Sequence, residues 1–422
     1  MISERLKRFC QSAAKEEGTP FYLIDLDRIK SAFLDFQDTC KNSFKHFRLA
    51  YSYKSNALKA ITQQFLALGS SAEVVSETEL DWAFEDGFKP ENIFFDGPLK
   101  TKENLLLAIQ RQVNIQLDSL EEVKNLIKIF ESEKISTKVS LRLAANYRVE
   151  SKSRFGFTYE EAQQAIHLFK CANIKLSGLH FHLGSNLDEP LLFTQILEEY
   201  KDIFYLVLKE NQDRIWLDIG GGFPAKSIGK DKQPVPVKSF IMRVADFIRQ
   251  CEIDFDRIEL IAEPGRCLVE DYGYLLTSVS SKKKRGENNL LIVDAGIHLL
   301  KSINTWYHPI SILTEDNRKL NEDCLSYSIY GCNCFENDVF SKSFSSLIEL
   351  DVGDLIVMGS AGGYDIYSAN AWTRPSPPIL GILEDTICPL RLRQTSKHVR
   401  CLQTNLEEIS NKIKYRLVNY DL

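Results

Sequence analysis

Residues 214–224 read RIWLDIGGGFP. A short apolar run, Ile215 to Ile219 around Asp218, is stopped by three consecutive glycines and a proline. Such a run bounded by turn residues reads as a strand covered on both faces. A plain turn needs one or two glycines, whereas three let backbone N–H groups close on an anion, typically phosphate. The pattern recurs downstream, where IELIAE (258–263) meets Pro264-Gly265-Arg266, and upstream, where LSGLHFH (176–182) meets Leu183-Gly184-Ser185-Asn186. Further out lie HFRLAYSYK (46–54), AEVVS (72–76), IFFD (93–96), NIQLD (114–118) and TKVSLRL (137–143), making eight such runs. Helical patterns fit 56–68, 77–86, 100–111, 189–210 and 237–251. Ser76–Glu79, Ser119–Glu122 and Thr158–Glu161 have the spacing of capping boxes. Eight β units alternating with helices predict a TIM-type (β/α)8 barrel. An open doubly wound sheet is the competitor, and eight parallel units favour closure.

After Pro264 the pattern changes to short alternating runs at 273–279, 290–294, 325–330, 346–350 and 354–358, without a long helix. This predicts a β-rich C-terminal domain. Lys282-Lys283-Lys284-Arg285-Gly286 breaks two of the runs as a charged hairpin tip. FYLID (21–25) is strand-like and is expected to pair with that domain. The expected division is a barrel over 27–265 and a discontinuous β-rich domain from 1–26 and 266–422. Lys+Arg is 52 and Asp+Glu 58, a net charge of −6, which argues against a nucleic-acid binder or a surface held to anionic lipid. No run approaches the roughly 18 apolar residues of a membrane span. The first twenty residues lack a signal peptide's apolar stretch and read as a polar amphipathic helix, so a cytoplasmic location is expected. The 10 cysteines are scattered without a CxxC, which fits small core residues better than disulfides or structural zinc.

Barrel active sites sit at the C-terminal strand ends. The first run ends in Lys54, with Ala50 and Ser52 on its face and Leu49, Tyr51 and Tyr53 opposite. The sixth ends in His180-Phe181-His182, a pair able to bind zinc, or to put one imidazole in the mouth while the other packs. The seventh and eighth end in the glycine-rich loops, the recurring phosphate position of such barrels. A strand-end lysine, a stacking imidazole, two anion loops and the carboxylate of Glu263 together describe a pyridoxal phosphate site.

The chain resembles the fold-type III pyridoxal-phosphate decarboxylases, the group of diaminopimelate and ornithine decarboxylases. The segments that carry the likeness are TPFYLIDLDRI (19–29), YSYKSN (51–56), EVVSETEL (73–80), SRFGF (153–157), GLHFHLGSN (178–186), LDIGGGFP (217–224), AEPGR (262–266), VDAG (293–296), GCNCFENDVF (331–340) and GDLIVMGSAGGYDIYSANAW (353–372). The resemblance implies that Lys54 carries the cofactor, His182 stacks on its ring and Glu263 faces the ring nitrogen. It implies that Gly220, Gly221, Gly222, Ser185, Gly265, Arg266 and Tyr364 hold the phosphate, with Arg154 a supporting cation. Cys334 matches a cysteine that reaches the active site from a partner subunit, so a homodimer with shared sites is implied.

Three departures stand out. Glu73 replaces the family's usual Asp, with the charge kept on a longer arm. Phe335 follows Cys334 where the family carries an acid that reads the substrate's distal ammonium. The stretch IHLLKSINTWYHP (297–309) lacks the Arg-Pro-x-x-Tyr of diaminopimelate enzymes. Glu336 and Asp338 remain as acids at the substrate end, Asp338 matching a family Asp. The expected activity is decarboxylation of an α-amino acid other than diaminopimelate or ornithine, larger or conjugated, as in siderophore or other secondary pathways. A racemase on this fold, which usually has Arg at the ring nitrogen, and a non-catalytic homologue are the alternatives.

Overall fold

The computed structural model describes residues 2–145, 153–313, 318–401 and 403. Part of the expected 266–422 segment, including 404–422, lies outside the described residues. β1 (Phe21–Asp25) precedes the barrel strands β2 (Phe47–Ser52), β3 (Ser71–Val74), β4 (Ile93–Phe95), β5 (Asn114–Leu117), β6 (Val139–Leu143), β7 (Gly178–Phe181), β8 (Ile215–Asp218) and β9 (Ile258–Ala262). β2 to β9 form a closed parallel barrel, sealed where Phe47, Arg48 and Leu49 pair with Leu260, Ile261 and Ala262. All eight expected runs are strands of this barrel, and the open sheet is excluded.

Alternation sorts the side chains. Leu49, Tyr51, Ile115, Leu117, Ile215 and Leu217 face outward into the layer shared with the helices. Ala50, Phe94, Trp216 and Ile261 fill the barrel interior. The interior has no room to spare there, because a Cβ on Gly178 would lie 2.6 Å from Trp216 Cγ. The helices begin where their caps are. Thr158 and Glu161 form a reciprocal capping box. Ser76 and Ser119 also accept from the amides of Glu79 and Glu122. There the glutamate carboxylates reach one residue further back, accepting from the amides of Val75 and Asp118, at 2.8 Å each. The expected helix over 189–210 is two, Leu191–Glu199 and Lys201–Glu210, broken at Tyr200. The Tyr200 hydroxyl donates to Ala144 O (3.1 Å) or Phe157 O (3.0 Å) beneath.

The second sheet is mixed. β1 pairs antiparallel with Gly273–Arg285 and parallel with Ile379–Leu383. The basic stretch 282–285 lies inside a strand, Gly273–Arg285, paired with Asn288–Val293 around a tight turn at Gly286. The run expected at 346–350 is instead Val339–Ser346. Ile310–Leu313, Ile379–Leu383 and Thr386–Arg391 are strands that the alternation did not reveal. The amphipathic helix Glu4–Glu17 buries Leu6, Cys10 and Ala13 against this sheet. No described helix is long and apolar enough to cross a membrane.

Overpacking a filled interior costs about 1–3 kcal/mol. Gly178→Ala is therefore expected to lower stability by about that amount in denaturant unfolding, and an unchanged midpoint would contradict the packing described.

Candidate active site

At the C-terminal mouth of the barrel lies a cavity of about 440 Å³, within the roughly 300–1,000 Å³ usual for small-molecule sites. Lys54 reaches it from a single 3-10 turn, Tyr53–Ser55, immediately beyond β2. The turn is held from behind by Tyr51 donating to Asn56 O and Tyr53 donating to Asp86, each at 2.8 Å. Lys54 Nζ donates to Glu73 Oε2 at 2.5 Å, and Ser52 Oγ donates to the same oxygen. Burial alone would depress the Lys54 ammonium, but Glu73 and Glu263 outweigh it and hold the amine above its ordinary range. Burial pushes the Glu73 carboxyl up, and Lys54 draws it only part of the way back, to about 7. The longer arm thus spans Ser52 and Lys54 together.

His182 follows β7, and its Nδ1 accepts the Gly221 amide at 3.1 Å. Burial, then Lys54 and Arg142, lower it to about 3, so the imidazole is neutral. Glu263 follows β9 and is 2% exposed, with neither carboxylate oxygen hydrogen-bonded. Burial would raise it, but His180 dominates and keeps it ionised.

Further along the rim after β9, Arg266 Nε donates to Ser185 Oγ at 2.9 Å, and the guanidinium pairs with Glu270. Its plane lies between the rings of Trp306 (4.7 Å) and Tyr364 (4.6 Å), which fixes it by cation–π contact. Tyr364 is delivered from the β-rich sheet by its amide, which donates to Ser55 O at 2.6 Å. Gly221 and Gly222 complete the rim, where a Cβ would come 2.5 Å from Glu263 O and 2.7 Å from Gly184 O respectively.

Lys54, His182, Ser185, Gly221, Gly222, Glu263, Gly265, Arg266, Tyr364 and Arg154 all line this one cavity. Arg154 stacks on Phe155 at 4.5 Å. Gly220 does not line it. Its amide donates to Asp218 and its carbonyl accepts from the Glu263 amide, so at φ +62° it shapes the turn. Cys334, Phe335 and Glu336 are exposed on the β-rich sheet's loops and lie outside the cavity of their own chain. Asp338 corrects the expectation of a substrate contact. It is 1% exposed, and its carboxylate accepts the amides of Ile297 and Asn333, each at 2.7 Å, bracing its own loop. Phe335 packs edge-on against Trp372, ring centres 5.7 Å apart.

Both histidines of the His-x-His pair face the barrel interior, so neither packs outward. Asp96 and Arg142 also line the cavity, and His180 and Asp218 join them behind it, a cluster that sequence reasoning passed over. The available signal was a charged residue, Arg142, alternating with leucines in SLRL.

The donors fit pyridoxal phosphate on the structure's own terms. An ammonium lies at one end, an ionised carboxylate without a hydrogen-bond partner in the floor, and a fixed guanidinium with exposed backbone glycines at the rim. Residues 26–270 match the sequence model described as "Pyridoxal-dependent decarboxylase, pyridoxal binding domain". The chain belongs to this family. Among curated relatives, diaminopimelate decarboxylase of Aquifex aeolicus is 27% identical over 83% of this chain and 83% of its own length. That of Methanocaldococcus jannaschii is 28% identical over 86% of each. The crystal structure of diaminopimelate decarboxylase from Helicobacter pylori complexed with L-lysine superposes with a TM-score of 0.82, at 25% identity, over 95% of this chain and 99% of that one. This pyridoxal-dependent decarboxylase therefore keeps the barrel, the second sheet and the cofactor of its family.

Gly221→Ala is expected to weaken cofactor binding at least tenfold, about 1.4 kcal/mol, in a fluorescence titration of cofactor-free protein. Unchanged affinity would contradict the close approach of the glycine loop.

Proposed function

We propose that this decarboxylase acts as a homodimer with shared active sites. Its substrate is an α-amino acid whose far end is neutral, acidic or bulky rather than an ammonium. The observation that carries the reading is Phe335 directly beside Cys334, 44% exposed and braced by Trp372. An unpaired ammonium facing such an apolar wall in a closed site costs several kcal/mol. The diaminopimelate decarboxylase relatives favour diaminopimelate as the second reading. The proposed division is a barrel over 27–265 that binds the cofactor, with 1–26 and 266–422 supplying the dimer contact.

Bound pyridoxal phosphate supplies the electron sink for the pair left at Cα when the α-carboxylate departs as CO2. Lys54 would carry the cofactor, and its Nζ beside Glu73 would hold or move a proton there. His182, neutral, stacks on the ring. Glu263 keeps the ring nitrogen protonated, which favours decarboxylation over the racemase alternative. Arg266, Ser185, Gly221, Gly222, Gly265 and Tyr364 orient the phosphate and so hold the breaking bond in place. Arg154 adds positive charge at the mouth. Cys334 from a second copy returns a proton to Cα, and Phe335 and Glu336 beside it face the substrate's far end.

CO2 release from a panel of D- and L-amino acids tests the substrate. Poor turnover of meso-diaminopimelate, ornithine and lysine is expected, with Phe335→Glu shifting preference toward diamino acids. A wild-type kcat/KM on diaminopimelate of about 10^4 M⁻¹s⁻¹ or more would overturn this reading. Sharing of sites is tested by mixing Lys54→Ala with Cys334→Ala chains, each inactive alone. Random exchange should restore up to about a quarter of the activity, since half the dimers are mixed and each has one intact site. No recovery after proven exchange would refute the shared site.

A further inference from the structure

Glu263 is an ionised group whose carboxylate oxygens are both buried, and such a group requires a counter-charge. Among the described residues only two cationic or potentially cationic side chains come within 4 Å of it, His180 at 3.5 Å and His182 at 3.9 Å. His182 cannot serve. Its nearer nitrogen, Nδ1, accepts the Gly221 amide and so carries no proton. Lys54 is engaged with Glu73, and Arg142 with Asp96 (3.1 Å) and Asp118 (3.6 Å). His180 is fully buried, neither ring nitrogen has a hydrogen-bond partner, and a carboxylate faces each: Glu263 at Nε2 and Asp96 at Nδ1, the latter at 3.9 Å.

We propose that His180 is a positioning residue, a buried imidazolium between Glu263 and Asp96 that holds Glu263 as the carboxylate facing the cofactor's ring nitrogen. A neutral imidazole has one N–H and could serve only one of the two flanking acids; the protonated ring serves both. Neighbouring groups then alternate in sign: Glu263, His180, Asp96, Arg142, Asp118. The other titratable groups around it are Asp218 on β8, whose carboxyl burial and Glu263 push well above its ordinary range, Glu73 on β3 and Lys54 beyond β2. Burial alone would lower the His180 imidazole, but Glu263 and then Asp96 outweigh it and raise it to about 9. The inference deepens the role given to Glu263 above and rests on that reading, but His180's charge is observable without cofactor.

The experiment uses cofactor-free protein with 13C-labelled histidine, whose 7 imidazoles are few enough to resolve by NMR. The resonance missing from His180→Gln should stay in the imidazolium form through pH 8, with a midpoint near 9. Asp96→Asn should lower that midpoint, and this shift assigns the resonance if His180→Gln does not fold. Because the folded value lies above the ordinary 6.5, the stability His180 contributes is complete below pH 6.5 and fades as pH rises through about 9. A resonance that titrates at or below 6.5, or is neutral throughout, overturns the proposal. In a second arm, cofactor affinity should fall at least tenfold at pH 8 in His180→Gln, and in Asp96→Asn by a smaller factor; wild-type affinity in both variants would also overturn it. Failure of wild-type protein to bind pyridoxal phosphate would instead refute the reading of Glu263, leaving the NMR result to stand for His180 alone.

Discussion

A carboxylate buried inside a closed barrel gives up most of its hydration, and its charge then has to be met by another side chain. That constraint organises the upper half of this barrel. Glu263, Glu73, Asp96, Asp118 and Asp218 are all buried there, and Arg142, His180 and Lys54 stand among them. The lower interior is apolar and filled by Ala50, Phe94, Trp216 and Ile261. The interior therefore has a dry plug below and an ionic tier above, and the cofactor cavity rests on the ionic tier. Lysine and glutamate meet a ligand there already charged, at fixed positions.

Closure of the barrel makes that tier possible. The seam between β2 and β9 brings Lys54 and Glu263, more than two hundred residues apart in sequence, to one mouth. The second sheet adds a wall beside the lysine. Asn56 Nδ2 donates to Gly362 O at 2.8 Å, and the Tyr364 amide donates to Ser55 O, so the lysine turn and the tyrosine loop are fastened to each other. Two sheets built from distant parts of the chain thus share one small joint, directly beside the attachment lysine.

Much of this was legible in the amino acids. Strands covered on both faces are continuously apolar, which is why all eight barrel strands could be read, and strand ends carry the chemistry, which is why Lys54, His182 and Glu263 could be placed. The second sheet was harder. The hairpin joining Ile379–Leu383 to Thr386–Arg391 turns on Glu384 and Asp385, both at positive φ, without the glycine or asparagine that usually marks such a turn. The interior charges were missed for a different reason. One arginine in an apolar strand looks like an error in the pattern until the carboxylates of neighbouring strands are seen to converge on it. Asp338 was misread because a motif match says nothing about whether a carboxylate faces a ligand or its own loop's amides.

The central claim is that Lys54 at the mouth of this barrel carries pyridoxal phosphate. Borohydride reduction of the loaded enzyme, followed by proteolysis and mass spectrometry, tests it most directly. A single pyridoxyl adduct on the peptide containing Lys54 is expected, matched by loss of the visible colour. An adduct on another lysine, or none in protein that binds the cofactor, would contradict it.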